Sequence, residues 1–211
     1  MSPVGRLLSV NLAEMRLIVL NGRPVKTGIY KYPAEGRHRL HDNRVGADRQ
    51  ADRDVHGGYD KAVYAYANED YDWWAAELER EIEPGLFGEN LTTAGIDVSG
   101  ALVGERWRVG TALLEVSEPR QPCSKFGHKM GDPLIVKRFA RAHRPGAYLR
   151  IVEEGEIGAG DPIEIVSRPG HGVTMALISR VVLGERPLAP RMLEAEALSA
   201  AWREWAEGRI P

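Results

Sequence analysis

The chain has a single cysteine, Cys123, in 211 residues. One cysteine excludes an intrachain disulfide framework, a Cys-rich zinc module and an intrachain CxxC redox pair. Neither sign of charge is in excess: 28 Lys and Arg stand against 30 Asp and Glu, a net charge of −2. Proteins that coat nucleic acid or an anionic membrane carry a clear positive excess, so neither partner is expected. No apolar run approaches the roughly 20 residues of a membrane span. The first 24 residues hold only short apolar stretches, broken by Arg6, Asn11, Glu14 and Arg16, and lack a continuous signal-peptide core. A reducing, cytoplasmic location is expected. The nucleotide-binding and hydrolase signatures GxxxxGK[ST], HExxH, GxSxG and GxGxxG do not occur. The histidines have no paired metal-ligand spacing on a helix.

What is present is turn chemistry and short strands. The 23 glycines and 13 prolines break the first two-thirds into short apolar stretches. Residues 5–10 and 15–20 read as strands around a polar break at Asn11, and Asn21-Gly22 is a strong turn signal. Residues 62–66 (AVYAY) suit a buried strand. Residues 106–109 and 111–116 flank Gly110 like a hairpin. Residues 147–152 and 162–166 look joined by another hairpin or short loop. Regularly spaced short strands suggest a closed or nearly closed β-barrel, mainly β with helices, an α+β protein. Asn68 is the expected cap of a helix over residues 69–81, with Pro84 just past its end. A second helix is expected from Asp132, with Pro133 at its first position. After residue 170 the chain turns helical. Thr174 can cap a helix ending at Gly184, Pro190 can open a second running to residue 199, and Ser199 can cap a third containing Trp202 and Trp205. The expected division is a barrel over residues 1–170 and a three-helix extension over 171–211, too small to fold without packing elsewhere.

Four segments could carry chemistry. In Glu118-Pro119-Arg120-Gln121-Pro122-Cys123-Ser124-Lys125, two prolines fix the path out of a strand. Arg120 and Lys125 can set positive charge near Cys123 and favour its thiolate, the form that attacks or binds metal. A lone cysteine is also commonly a small buried hydrophobe. In His56-Gly57-Gly58-Tyr59-Asp60-Lys61, paired glycines allow close approach of a ligand, with His56 and Lys61 facing an anion; an ordinary glycine turn with an exposed histidine is the simpler reading. In Phe87-Gly88-Glu89-Asn90-Leu91, polar groups between apolar anchors can orient a ligand or satisfy a buried turn, the commoner case. In residues 46–52, Asp48 and Asp52 can orient Arg49 or form a solvated acidic turn.

Read in order, these segments become specific. KTGIYK (26–31), GADRQAD (46–52), HGGYDKAVYAY (56–66), YDWW (71–74), LFGENL (86–91), LEVSEPRQPCSK (114–125) and the stretch 155–166 resemble the MOSC domain, named for the C-terminal domain of molybdenum-cofactor sulfurases. The helical tail resembles the three-helix extension of the bacterial YiiM-like branch. The resemblance implies a β-barrel of the pyruvate-kinase-insert type and a molybdopterin-type molybdenum cofactor. It implies that Cys123 binds the metal or carries sulfur. YiiM-like relatives are linked to reduction of N-hydroxylated compounds such as hydroxylaminopurines. Three departures stand out: Glu105 replaces an aspartate common in the family, the helical tail is shorter than the full extension, and no aminotransferase-like segment is present, so whole sulfurase activity is not expected.

On that resemblance the expected function is an oxidoreductase with Cys123 as catalytic metal ligand. Arg120, Lys125, His56 and Lys61 would contact phosphate or developing negative charge. Asn90 and Asp48 would orient the pterin, and Gly57, Gly58 and Arg49 complete the cofactor-binding set. Its partners would be a small N-hydroxylated substrate and an external electron-donor protein, with a homodimer allowed. The alternative is a non-catalytic carrier of the cofactor or of cysteine-bound sulfur.

Overall fold

The computed structural model describes residues 5–48 and 58–209. Strand β1 (Gly5–Ala13) runs straight through Asn11. The expected break is absent because the polar groups of Asn11 are matched. Its N–H donates to the Asn90 carbonyl (2.7 Å), Ser9 Oγ donates to its Oδ1 (2.8 Å), and its Nδ2 donates to Thr92 Oγ1 (3.0 Å). β2 (Arg16–Leu20) and β3 (Arg23–Thr27) form a hairpin turned by Asn21 and Gly22 at φ 49° and 74°. Two positive φ values in succession are what an Asn-Gly turn supplies. β4 (Lys31–Pro33) pairs with the far end of β1, while β5 (Arg37–His41) and β6 (Arg44–Val45) pair with each other.

A single 3₁₀ turn, Tyr59–Lys61, leads into β7 (Val63–Ala67), which is buried at every position. Helix α1 (Asn68–Leu78) then crosses to β8 (Leu91–Ala94), which lies parallel to β7. A parallel pair requires such a crossover. Asn68 is the first residue of α1 and not its cap; Ala67, at the end of β7, holds that position. The helix stops at Leu78, short of residue 81, because Glu79 turns left-handed at φ 51°. β9 (Arg106–Val109) and β10 (Ala112–Glu118) form the hairpin about Gly110. Helix α2 (Ser124–Met130), which the sequence reading did not foresee, is followed by α3 (Ile135–Ala142) and β11 (Ala147–Glu153).

β11 does not form a hairpin with β13 (Pro162–Ser167). The intervening stretch forms β12 (Gly155–Gly158), which pairs with β5, and Thr111 Oγ1 accepts the Glu156 N–H at 2.8 Å. The barrel order is β13-β9-β10-β11-β7-β8-β1, and β1 pairs again with β13, so seven strands close a ring. All its pairs are antiparallel except β7–β8.

The tail contains α4 (Met175–Leu183), α5 (Ala189–Met192) and α6 (Ala200–Glu207). α5 ends at Met192, so residues 194–199 are turns and not the expected continuation. One apolar cluster runs from barrel residues Trp107, Leu114 and Leu149 into tail residues Met175, Ile178, Val181, Met192 and Ala206. Packing on the barrel is thus what makes the short helices stable. A second, aromatic cluster joins Tyr64, Tyr66, Tyr71, Trp74, Phe87, Phe126 and Phe139 beneath α1, α2 and α3. Trp74 and Phe139 stack at 5.8 Å and 9°. The buried Tyr66 hydroxyl accepts from Trp74 Nε1 (2.8 Å) and donates to the Arg144 carbonyl (2.9 Å), so both polar edges are satisfied.

Thr174 caps α4 as expected: its Oγ1 accepts the Leu177 N–H at 3.0 Å. Thr174→Ala is expected to lower stability by about 1 kcal/mol, read as a lower midpoint of urea unfolding.

Candidate functional site

β10 ends at Glu118, and the prolines at 119 and 122 lead the chain to Cys123, extended at φ −131° and ψ 172° just before α2. Cys123 is half-buried. It faces a pocket of about 500 Å³. Lys61, Glu118, Gln121 and Tyr148 supply polar groups, and Pro119 and Pro122 also line it. Ala201, Trp202 and Trp205 of α6 complete the lining. This size suits a small-molecule ligand.

The polar groups are interdependent. Lys61 Nζ lies 3.3 Å from Glu118 Oε1. Burial raises the Glu118 carboxyl above its ordinary value, against the opposing pull of Lys61 and the Ser199 hydroxyl. Burial also pushes the Tyr148 phenol up to about 12, with Arg120 opposing and Cys123 and Glu118 adding to the rise. Tyr148 therefore keeps its proton at neutral pH and can donate a hydrogen bond. The pocket so combines a thiol, a cation, a carboxyl group and a phenolic O–H within one small volume.

Arg150 holds this arrangement in place. Its Nε donates to Asp60 Oδ1 (2.6 Å), its Nη1 to Glu115 Oε1 (2.8 Å) and its Nη2 to the Ala197 carbonyl (2.9 Å). One side chain on β11 thereby fixes the turn bearing Lys61, strand β10 and the segment before α6.

The sequence-predicted residues separate into groups. Cys123 and Lys61 line the pocket together. Gly58, at φ 88°, directly precedes the turn that carries Lys61. Arg120 lies within electrostatic reach of Cys123 but is buried beneath it. Its guanidinium donates to the Phe87 carbonyl and sits over the rings of Tyr64, Phe126 and Phe139 at 5.3, 4.6 and 5.4 Å. Lys125 is the second residue of α2 and is not in the pocket lining. Arg49, His56 and Gly57 lie outside the described residues.

Asp48 and Asn90 meet in a different place. Asn90 Nδ2 donates to Asp48 Oδ2 (2.9 Å), which also holds Lys31 Nζ at 2.5 Å, while Asp48 Oδ1 accepts the Ala13 N–H (2.7 Å). Asn90 Oδ1 accepts the Tyr64 N–H at 3.2 Å. Both side chains are buried and neither lines the pocket at Cys123. Their neighbour Glu89 is fully buried; its Oε1 accepts from Tyr71 Oη, the Gly85 N–H (2.5 Å) and Thr92 Oγ1 (3.0 Å). Lys129 of α2 donates to the carbonyls of Ile29 (3.0 Å) and Gly85 (2.6 Å). Burial, chiefly, brings its ammonium down to about 7, with Glu89 opposing.

Sequence reasoning missed Glu118 as a pocket residue, Tyr148, Arg150 and the role of the tail tryptophans. Glu118 was inside the quoted motif, but Tyr148 and Arg150 lie on a strand with no local signature. Trp202 and Trp205 were visible only as helix residues, because nothing in the sequence says which way α6 faces.

A closed mixed barrel with a cysteine leaving one strand into a small-molecule pocket defines a class of β-barrel proteins with a thiol-centred site. The chain belongs to the MOSC family: the family model, described as MOSC domain, matches residues 52–164. It is 35% identical to YflK of Bacillus subtilis over 199 residues, 93% of this chain and 90% of that one. It is 32% identical over 182 residues to a reductase of Gibberella moniliformis, covering 84% of this chain but 32% of that longer one. Its fold matches the crystal structure of YiiM from Geobacillus stearothermophilus with a TM-score of 0.81 at 31% identity, covering 98% and 100% of the two chains.

The family is associated with the molybdenum cofactor, and the donor set can be tested against that group. Among the described residues no cluster of three or more His, Cys, Asp or Glu could cage a metal alone. The pocket offers one soft donor, Cys123, and room beside it. That fits a metal arriving with most of its ligands on an organic cofactor, and it does not fit a bare ion. The residues present therefore fit the group. Among the described residues no helix is long and apolar enough to cross a membrane.

The half-buried Lys129 gives a pH signature. Between about 7 and its ordinary value of 10.5 the unfolded chain holds a proton that the folded protein does not. Stability from this group therefore rises with pH across that window. Lys129→Met should flatten this rise, measured as urea midpoints from pH 7 to 10.

Proposed function

We propose that this protein is a molybdenum-cofactor-dependent oxidoreductase that reduces small N-hydroxylated compounds, such as hydroxylaminopurines, to the corresponding amines. The observation that carries the reading is the half-buried thiol of Cys123 in a pocket that also holds Lys61, Glu118 and Tyr148. The fungal relative named a reductase supports the same reaction class. The lone cysteine suits a reducing cytoplasm.

The balanced reaction takes R–NHOH, two electrons and two protons to R–NH2 and water. The N–O bond breaks and the nitrogen is reduced. The cofactor, when bound, supplies a metal centre able to exchange two electrons. Those electrons come from an external electron-donor protein, since the sequence carries no motif for a flavin, haem or iron–sulfur centre. Cys123 would hold the metal as a thiolate. Lys61 would offset negative charge in the pocket, and the Tyr148 O–H would donate a hydrogen bond to the hydroxyl oxygen of the substrate. Glu118, raised by burial, is placed to hand a proton to the leaving hydroxyl. Arg120 supports this chemistry from beneath by adding positive charge near the thiol.

The test compares wild type with Cys123→Ala, both expressed in a cofactor-competent host. The variant is expected to lose bound molybdenum and at least 100-fold in N-reduction with a chemical electron donor. Full activity with molybdenum retained in the variant contradicts the reading.

A further inference from the structure

Helix α3 presents to solvent a face that the pocket at Cys123 does not use. Its inner face buries Ile135 and Phe139. Leu134, at its N-terminal cap, is followed by Lys137 and Arg141 at i+3 and i+7, which puts all three on the opposite face. All three are exposed, Leu134 by 63%. Arg138, beside them, is matched by Glu77 and Asp132 at 3.7 and 3.9 Å. Among the described residues no carboxylate is matched to Lys137 or Arg141. The positive charge is local. Residues 124–144, which span α2 and α3, hold six Lys and Arg against one acid, leaving 22 against 29 in the rest of the chain. This face is also joined to the site by packing. α2 starts at the residue after Cys123, and its Phe126 packs on Phe139 of α3 with ring centres 5.2 Å apart. The Arg120 guanidinium lies over these two rings at 4.6 and 5.4 Å, and within electrostatic reach of Cys123.

We infer that the outer face of α3, with Leu134 among Lys137 and Arg141, is the docking surface for a small acidic electron-carrier protein. An apolar residue set among unmatched cations suits a brief, charge-steered encounter. Opposite charge speeds and orients the approach, and a small apolar contact needs little area. The packing from Phe139 through Phe126 and Arg120 joins that surface to the thiol across the interior of the protein. A nucleic acid or an anionic membrane fits this face less well: two unmatched cations on one eight-residue helix neutralise few phosphates, and the whole chain carries −2. The inference rests on the reductase reading for its need of electrons, but docking is measured without turnover. Each turnover takes two electrons from the carrier, in two encounters if it gives one at a time. The N–O bond receives them with two protons, yielding the amine and water.

Surface plasmon resonance on the full chain tests the surface, with a plant-type ferredoxin as the acidic one-electron carrier. Basic cytochrome c and an RNA oligonucleotide are the controls. The variants are Lys137→Glu and Arg141→Glu, with Arg23→Glu on the β2–β3 hairpin as an exposed site of equal charge change. At low salt each α3 variant is expected to bind ferredoxin about tenfold or more weakly, while Arg23→Glu stays within about twofold of wild type. The difference shrinks as salt rises. Leu134→Gln is expected to weaken binding at every salt concentration. N-reduction by the holoenzyme should fall in the α3 variants when ferredoxin supplies the electrons and stay unchanged with reduced methyl viologen. No binding of ferredoxin by wild type, equal weakening by Arg23→Glu, or binding of cytochrome c or RNA as tight as that of ferredoxin overturns the inference. Absence of N-reduction with methyl viologen, together with the expected binding pattern, defeats the reductase reading and leaves the docking surface standing.

Discussion

The site depends on one guanidinium. Arg150 sits on β11 inside the assembled barrel wall, with its side chain only 10% exposed. It divides its donors among Asp60, Glu115 and the Ala197 carbonyl. Its charge is matched by two carboxylates, which is what makes burying it tolerable. Asp60 is adjacent to Lys61, and Ala197 lies just before the helix that carries Trp202 and Trp205. The two walls of the pocket are separated by more than 130 positions in sequence, and this side chain is a direct bond between them. The Tyr59 ring at 5.6 Å adds a further contact to the same cation.

A second buried cation, Arg120, does different work. It is sunk in the aromatic cluster and bonded to the Phe87 carbonyl, between the thiol above and the rings below. Burial discourages its charge, and the neighbouring Tyr64, Tyr148 and Cys123 favour it. The motif that carries Cys123 is therefore anchored from below by a cation–π seat, while the pocket's own cation is Lys61. The Asp48–Asn90–Lys31 network is also buried, and its bonds run to the backbones of β1 and β7. It holds the strands that shape the barrel.

Much of the fold was legible because it rests on local chemistry. The Asn21-Gly22 turn, the hairpin about Gly110, the buried β7 and the Thr174 cap all follow from residues next to one another. Failures came where a distant partner decided. Asn11 reads as a break but is matched by Asn90 and Thr92 of β8 and the segment before it. Residues 153–161 read as a hairpin or short-loop connection, but Gly155–Gly158 within them form a strand because β5 offers an edge. The site was legible to the same extent: the thiol and Lys61 were marked by their motifs, whereas Arg150, Tyr148 and the facing of α6 are set by closure of the ring. Asp48 and Asn90 carry motif signatures yet are bonded to one another and to backbone, since a motif does not report the direction of a side chain.

The coupling of the two walls through Arg150 is tested most directly by hydrogen exchange on the full chain, wild type against Arg150→Met. The structure predicts that amides of the turn at residues 59–61 and of α6 lose protection together, while β7 and β8 stay protected. Unchanged exchange in both segments, or loss in one with the other intact, would contradict the central place given to this residue.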